Sequence, residues 1–263
     1  MNSNYNLNYP SANDYYDINI FNNNFSKLAD GIDDAKAGGY KNEVIVAAYN
    51  SKSPLKDCAD FVCTQDDCTS ILNSAVTKAY EGGTIRFLDG DYYLTNILEI
   101  RKSINIKGDG KYSTILHKKG NYAYLLKHYG SKSHIEKIGF ECNTEALNLC
   151  LLLIGNNKIE IDDCYFNVPI DGGQNDAAPI TIDYDFGYTA IRNCLFEKYK
   201  NTRFVVQAEN SQWRGIMTGN FVTYIPDHTQ IPVAVNLKNS TSHNEVDFGS
   251  QKTTIYIKGV QVS

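Results

Sequence analysis

The 263 residues lack any apolar run near the roughly 18 that a bilayer-spanning helix needs, so membrane insertion is not expected. The first 30 residues lack the basic-then-apolar layout of a secretion signal, and synthesis in the cytoplasm is the expectation. Excess positive charge is missing too. The formal net charge is −5, which leaves no basic field to draw in nucleic acid or hold an anionic membrane surface. A disulfide framework is equally unsupported: seven cysteines form an odd, irregularly spaced set that suits reduced thiols. Cys58, Cys63 and Cys68 recur every five residues beside Asp66 and Asp67, whereas zinc sites pair their ligands at spacings of about two to four residues, with a second pair elsewhere. Neither a metal nor another cofactor is expected. Methionine is scarce, at 2, against 19 tyrosines and frequent asparagine, a balance that favours strands and turns over helical bundles.

What is present begins with a contrast. The first 12 residues, MNSNYNLNYPSA, show no periodicity and read as irregular chain. From Asp17, a plausible N-cap, Ile18, Phe21, Phe25, Leu28 and Ile32 follow at spacings of 3, 4, 3 and 4. That is either one face of a helix packed on its own domain or a seam used between chains or against a partner. The linker AKAGGYKN at 35–42 then separates a segment 1–40 from a domain 43–263. The domain opens with the strand VIVAAYN. Next comes an amphipathic helix whose apolar face is Ile71, Leu72, Ala75, Val76 and Ala79, capped by Asp67 or a neighbour and stopped by Gly82-Gly83. Two glycine turns follow, in TIRFLDGDYYL and SINIKGDGKYSTILH.

Beyond Ser133 a repeat appears. IEKIGF, IDDCYF, IRNCLF, IMTGNF and HNEVDF end on Phe140, Phe166, Phe196, Phe221 and Phe248, spaced by 26, 30, 25 and 27 residues. Units that cannot bury their apolar face alone must stack, which makes the domain an all-β solenoid, a parallel β-helix. A β-sandwich would place turns about every 8 to 12 residues without this long register. The polar third position (Lys137, Asp163, Asn193, Thr218, Glu245) reads as a corner, and the five phenylalanines as an inward ladder. Cys164 and Cys194 occupy one inward position in successive units and read as stacked small hydrophobes.

The run ADFVCTQDDCTSILNSAVTKAYEGGTIRFLDGDYYL followed by INIKGDGKYSTIL resembles the start of pectate-lyase-like, single-stranded right-handed parallel β-helix proteins, with an N-terminal capping helix before the first coils. This version is similar to phage and prophage tail proteins, and NDYYDINIFNNNFSKLADGI to the short attachment segment of tail fibres and baseplate proteins from phages of Gram-positive bacteria. The resemblance implies a receptor-binding virion component made in the bacterial cytoplasm and carried on a phage or phage-tail-like particle. Residues 1–40 would attach it to other tail or baseplate proteins, the assembly would be a homotrimer, and the target a host surface glycan or surface protein. The alternative is a tailspike-like depolymerase, a lyase or hydrolase of surface polysaccharide.

No residue is assigned as catalytic. The candidates for acid–base chemistry are Asp163, and Asp183 with Asp185 in TIDYDFG, where strand alternation puts the last two on one face. Their ordinary reading is solvent-facing carboxylates. The paired-aspartate, G-x-G-H and R-I-K set of polygalacturonases is missing, as is the arginine set of pectate lyases. The five histidines are scattered, and His117 and His134 read as surface or turn residues at coil edges.

Overall fold

A computed structural model of the chain describes residues 41–120, 122–142, 151–156, 158–168, 178–183, 186–198, 204–209, 212–224, 229–237, 245–257 and 260–261. Ile18, Phe21, Phe25, Leu28, Ile32 and Asp185 lie outside the described residues, as does the rest of the segment 1–40. The described strands wind through three sheets in turn, and each strand pairs with its counterpart one coil away. The first sheet carries Ala79–Phe87, Asn105–Gly108, Ser133–Glu136, Ile159–Asp162, Phe186–Arg192, Gln212–Thr218 and Glu245–Asp247, with Lys41–Ala47 and Phe61–Val62 before them. The second carries Gly90–Leu94, Thr114–Lys118, Gly139–Cys142, Tyr165–Val168, Leu195–Lys198 and Phe221–Tyr224. The third runs from Leu98–Ile100 through Leu126–His128, Leu152–Ile154, Ile180–Ile182, Val206–Ala208 and Val233–Leu237 to Thr253–Ile257. The domain is therefore an all-β parallel β-helix.

Stacking sets the register. In the second sheet Tyr92, Leu116, Phe140, Phe166, Phe196 and Val222 align inward. The rings of Phe140 and Phe166, and of Phe166 and Phe196, lie 5.0 Å apart and within 9° of parallel, the spacing of neighbouring strands, about 4.8 Å. In the first sheet Ile106, Ile135, Ile161, Ile191 and Met217 form a matching buried column. Cys164 and Cys194 are fully buried, as an inward position requires.

The ladder stops earlier than the repeat of phenylalanines suggests. Phe221 aligns with Leu195, not Phe196, and is 53% exposed; Val222 takes the inward place. Asp247 pairs with Ile216, which brings Phe248 beside Met217, so it continues the isoleucine column and is only partly buried. The reason lies at the corner. Lys137, Asp163, Asn193 and Gly219 all adopt the left-handed conformation (φ 48 to 67°). The first three donate their backbone N–H to the carbonyls of Asp162, Arg192 and Thr218 one coil on. Gly219, rather than Thr218, is the fourth corner, so the true step from Asn193 is 26 residues and IMTGNF is displaced by one.

At the N-terminal end the helix Thr69–Lys78 buries Leu72, Ala75 and Val76 over the first coil. Asp67 Oδ1 accepts from the Thr69 amide at 2.9 Å and the Thr69 hydroxyl at 2.6 Å, satisfying free groups of the first turn. The helix ends at Lys78, before the Gly82-Gly83 pair expected to stop it, and both glycines belong to the strand Ala79–Phe87. The stop comes from Lys102, whose ammonium donates to the carbonyls of Val76, Thr77 and Ala79 at 2.8 to 3.2 Å. Gly83 serves close approach instead: a Cβ there would sit 2.7 Å from the Asn42 carbonyl oxygen. At the other end the second and third sheets finish in antiparallel pairings, Phe221–Tyr224 with Thr229–Ile231 and Thr253–Ile257 with Val260–Gln261. Hydrogen bonding thus covers part of the final strand's edge. No helix of the described residues is long and apolar enough to cross a membrane.

Candidate functional site

Strand alternation turns the residue after each ladder position outward. On the second sheet this outer row reads Tyr93, His117, Glu141, Asn167, Glu197 and Thr223 across successive coils. His117, Glu141 and Asn167 of this row join Asp91 in a connected polar chain. His117 Nε2 lies 2.8 Å from Asp91 Oδ1, and its Nδ1 lies 3.0 Å from Glu141 Oε2. Asn167 Nδ2 donates to Glu141 Oε1 at 2.8 Å. The Tyr165 hydroxyl donates to Glu197 Oε2 at 2.6 Å. From the preceding loop, Asn50 Nδ2 donates to Asp91 Oδ2 at 2.7 Å, while its Oδ1 accepts from the Asp91 amide.

Aromatic rings frame this chain. Tyr93 stacks on the His117 imidazole at 4.6 Å and 17°, and the Lys119 ammonium lies 5.7 Å from the Tyr93 ring centroid. Tyr112, 64% exposed, leans on Tyr165 with centroids 5.3 Å apart. Burial works against protonating His117, but the hydrogen bonds to Glu141 and Asp91 outweigh it and hold its pKa above the ordinary histidine value. Burial, then the hydrogen bond to Glu197, keeps the Tyr165 phenol protonated far above its usual range.

The chemistry available follows from these commitments. Both ring nitrogens of His117 are held by carboxylates, so neither is free to act as a general base toward a hydroxyl or thiol. Asp91 and Glu141 in turn spend oxygens on His117, Asn50 and Asn167. The result is a fixed array of acceptor oxygens with exposed tyrosine beside it, which suits the hydroxyl groups and apolar ring faces of a sugar. No group of three or more His, Cys, Asp or Glu suited to a metal occurs among the described residues.

Of the aspartates singled out in the sequence, neither Asp163 nor Asp183 converges here. Asp163 sits at the corner between the first and second sheets, where the Lys111 ammonium binds it at 2.7 Å. Asp183 follows the third-sheet strand Ile180–Ile182, on another side of the coil, and its amide donates to the Ile154 carbonyl. The histidines correct the expectation most. His117 lies within Thr114–Lys118 and His134 within Ser133–Glu136, so neither is a turn residue. His128 is fully buried in the third sheet, aligned with Ile100 and Ile154, and burial lowers its pKa. The outer row was present in the sequence as Phe-Glu, Phe-Asn and Phe-Glu at 140–141, 166–167 and 196–197. The residue after each ladder phenylalanine is polar, and that was the available signal.

No protein-family model matches the chain, and no curated protein matches it. Among solved structures it is similar to a pectin methylesterase from carrot, with 16% identity and a TM-score of 0.50 over 81% of this chain and 60% of the enzyme. It also matches Geobacillus virus E2 ORF18 at 15% identity and a TM-score of 0.39, over 86% of this chain and 50% of the viral one. The chain thus spans less than two thirds of the length of either. The likeness to the carrot enzyme shows a shared right-handed β-helix fold and nothing of its activity.

Proposed function

We propose that this chain is an adhesive component of a phage or phage-derived tail, which holds a host surface glycan against the outer face of its second sheet without cleaving it. The observation that carries this reading is the Asp91–His117–Glu141 chain, because the His117 imidazole on that face has both nitrogens committed to carboxylates. Pre-oriented acceptors of this kind bind hydroxyl groups at little ordering cost. They offer no nucleophile–base pair for acyl transfer. The tail setting rests on the resemblance of ADFVCTQDDCTSILNSAVTKAYEGGTIRFLDGDYYL and of NDYYDINIFNNNFSKLADGI to tail proteins. On that basis residues 1–40 attach the chain to a tail or baseplate, and a homotrimer presents several faces together, gaining avidity.

The test is to incubate the purified chain with intact Gram-positive cells and with their isolated surface polysaccharide, scoring retention and new reducing or unsaturated ends. Retention with no new ends is the expected result. New ends appearing in proportion to the chain added would replace adhesion by depolymerisation.

A further inference from the structure

A second polar feature lies on the outer side of the first sheet, where the chain arrives from the third. Lys132 and Lys158 each stand one residue before the paired positions Ser133 and Ile159, so they occupy the same corner on successive coils. Both adopt the left-handed conformation, with φ of 55 and 59°, an uncommon state for a side chain that is neither Asn nor Gly. Tyr188, one residue before Thr189, continues the column on the next coil. Beside this column His134 and Glu160 are paired neighbours, and Asn105 Oδ1 accepts the His134 amide at 2.9 Å. These side chains line a groove of about 620 Å³.

Its charges are unevenly committed. Glu160 is already paired with Arg192 at 2.9 Å. Among the described residues neither the Lys132 nor the Lys158 ammonium has an ion-pair or hydrogen-bond partner, and His134 Nε2 is buried with none. A buried ring nitrogen without a partner is costly. Two lysines at the same corner of adjacent coils, lining one groove, also place like charges near each other. An oxyanion seated between the lysines and against the ring relieves both penalties at once. The second-sheet face, by contrast, holds the His117 ring between two carboxylates and offers acceptors.

We propose that the groove of Lys132, Lys158 and His134 is an oxyanion subsite that takes the carboxylate or phosphate group of a glycan, with Tyr188 beside it for the sugar ring. That the oxyanion belongs to a glycan rests on the adhesive reading above; the subsite itself does not. The test therefore uses soluble probes on the full chain. Glucuronate and glycerol phosphate are titrated by calorimetry and by the imidazole signals of His134, with glucose as the neutral control. At least one anion binds, shifting the His134 signals, and its affinity falls as salt is raised; glucose leaves these signals unmoved. Which anion binds more tightly identifies the group.

The variant Lys132→Asn with Lys158→Asn removes both charges, while asparagine tolerates the left-handed backbone. It weakens binding at least tenfold. His134→Phe, which keeps the ring volume without its nitrogens, reports independently of that pair. No binding of either anion, or affinities unchanged in both variants, overturns the subsite. Retention on cells through the second-sheet face would then still stand, so the two readings fail separately.

Discussion

The inner and outer rows of the second sheet use the same backbone for opposite ends. Inside, like stacks on like: Phe140, Phe166 and Phe196 repeat one ring at one spacing, because dispersion and water exclusion reward any close-packed surface. Outside, unlike follows unlike, since a carboxylate beside a carboxylate repels and each charge needs a complementary neighbour on the next coil. Asp91, His117, Glu141 and Asn167 satisfy that requirement in turn. Repetition makes the core, and the break from repetition makes the site.

The sharpest way to break the comparison is to truncate the ladder. Phe166→Ala removes a fully buried ring stacked on both sides and should lower stability by about 3–5 kcal/mol. Phe221→Ala, at a half-exposed ring, should stay within about 0.5 kcal/mol. Chemical denaturation of the two variants reads the difference. Equal losses would put Phe221 back into the core.

On the outer row His117→Gln should cost about 1–3 kcal/mol where the ring is charged, at the lower end because its partners are a third exposed. The sign is set by the raised folded pKa. His117 contributes fully below its unfolded value, about 6.5, and that contribution is lost as pH rises through the higher folded value. Wild-type stability should therefore fall across that window while the variant's does not, and melting curves at pH 6 and above 8 compare them. Parallel pH profiles would mean that the imidazole is not held by Asp91 and Glu141.

Cys194→Ser tests the core more gently, at about 1 kcal/mol. The thiol already points its hydrogen toward the Arg192 carbonyl at 3.2 Å, and a hydroxyl inherits that partner. A loss as large as that of Phe166→Ala would show the site too tight for the exchange. Smallest of all, Asp183→Asn with Asp185→Asn should leave both the melting temperature and glycan retention as in wild type. A cleaving activity lost in that pair would make these aspartates catalytic.

Much of the fold was legible because apolar stacking repeats itself: the helix Thr69–Lys78, the isoleucine column and the three stacked phenylalanines all follow patterns of apolar spacing. The slip at Phe221 shows where identity misleads. Aligning on Phe ignores the corner, whereas the left-handed backbone at Asn193 can be continued by Gly219 and not readily by Thr218. The site was far less legible. His117, Asp91 and Glu141 are separated by 26 and 24 residues, and no local motif joins them until the register does. Lys132 and Lys158 stand 26 residues apart with no local motif to join them, and only the coil brings them to one corner.

The most direct measurement is retention on an array of bacterial surface polysaccharides, comparing wild type with Tyr112→Ala combined with Glu197→Gln. Glu197 lies on the second-sheet outer face, and Tyr112, in the turn before Thr114–Lys118, leans on Tyr165 beside it; neither is in the core, so the melting temperature should be preserved. Wild type should be retained on at least one polysaccharide without releasing fragments from it, and the variant's retention should fall at least tenfold. Undiminished retention of a folded variant, or release of fragments by wild type, would contradict adhesion through this face.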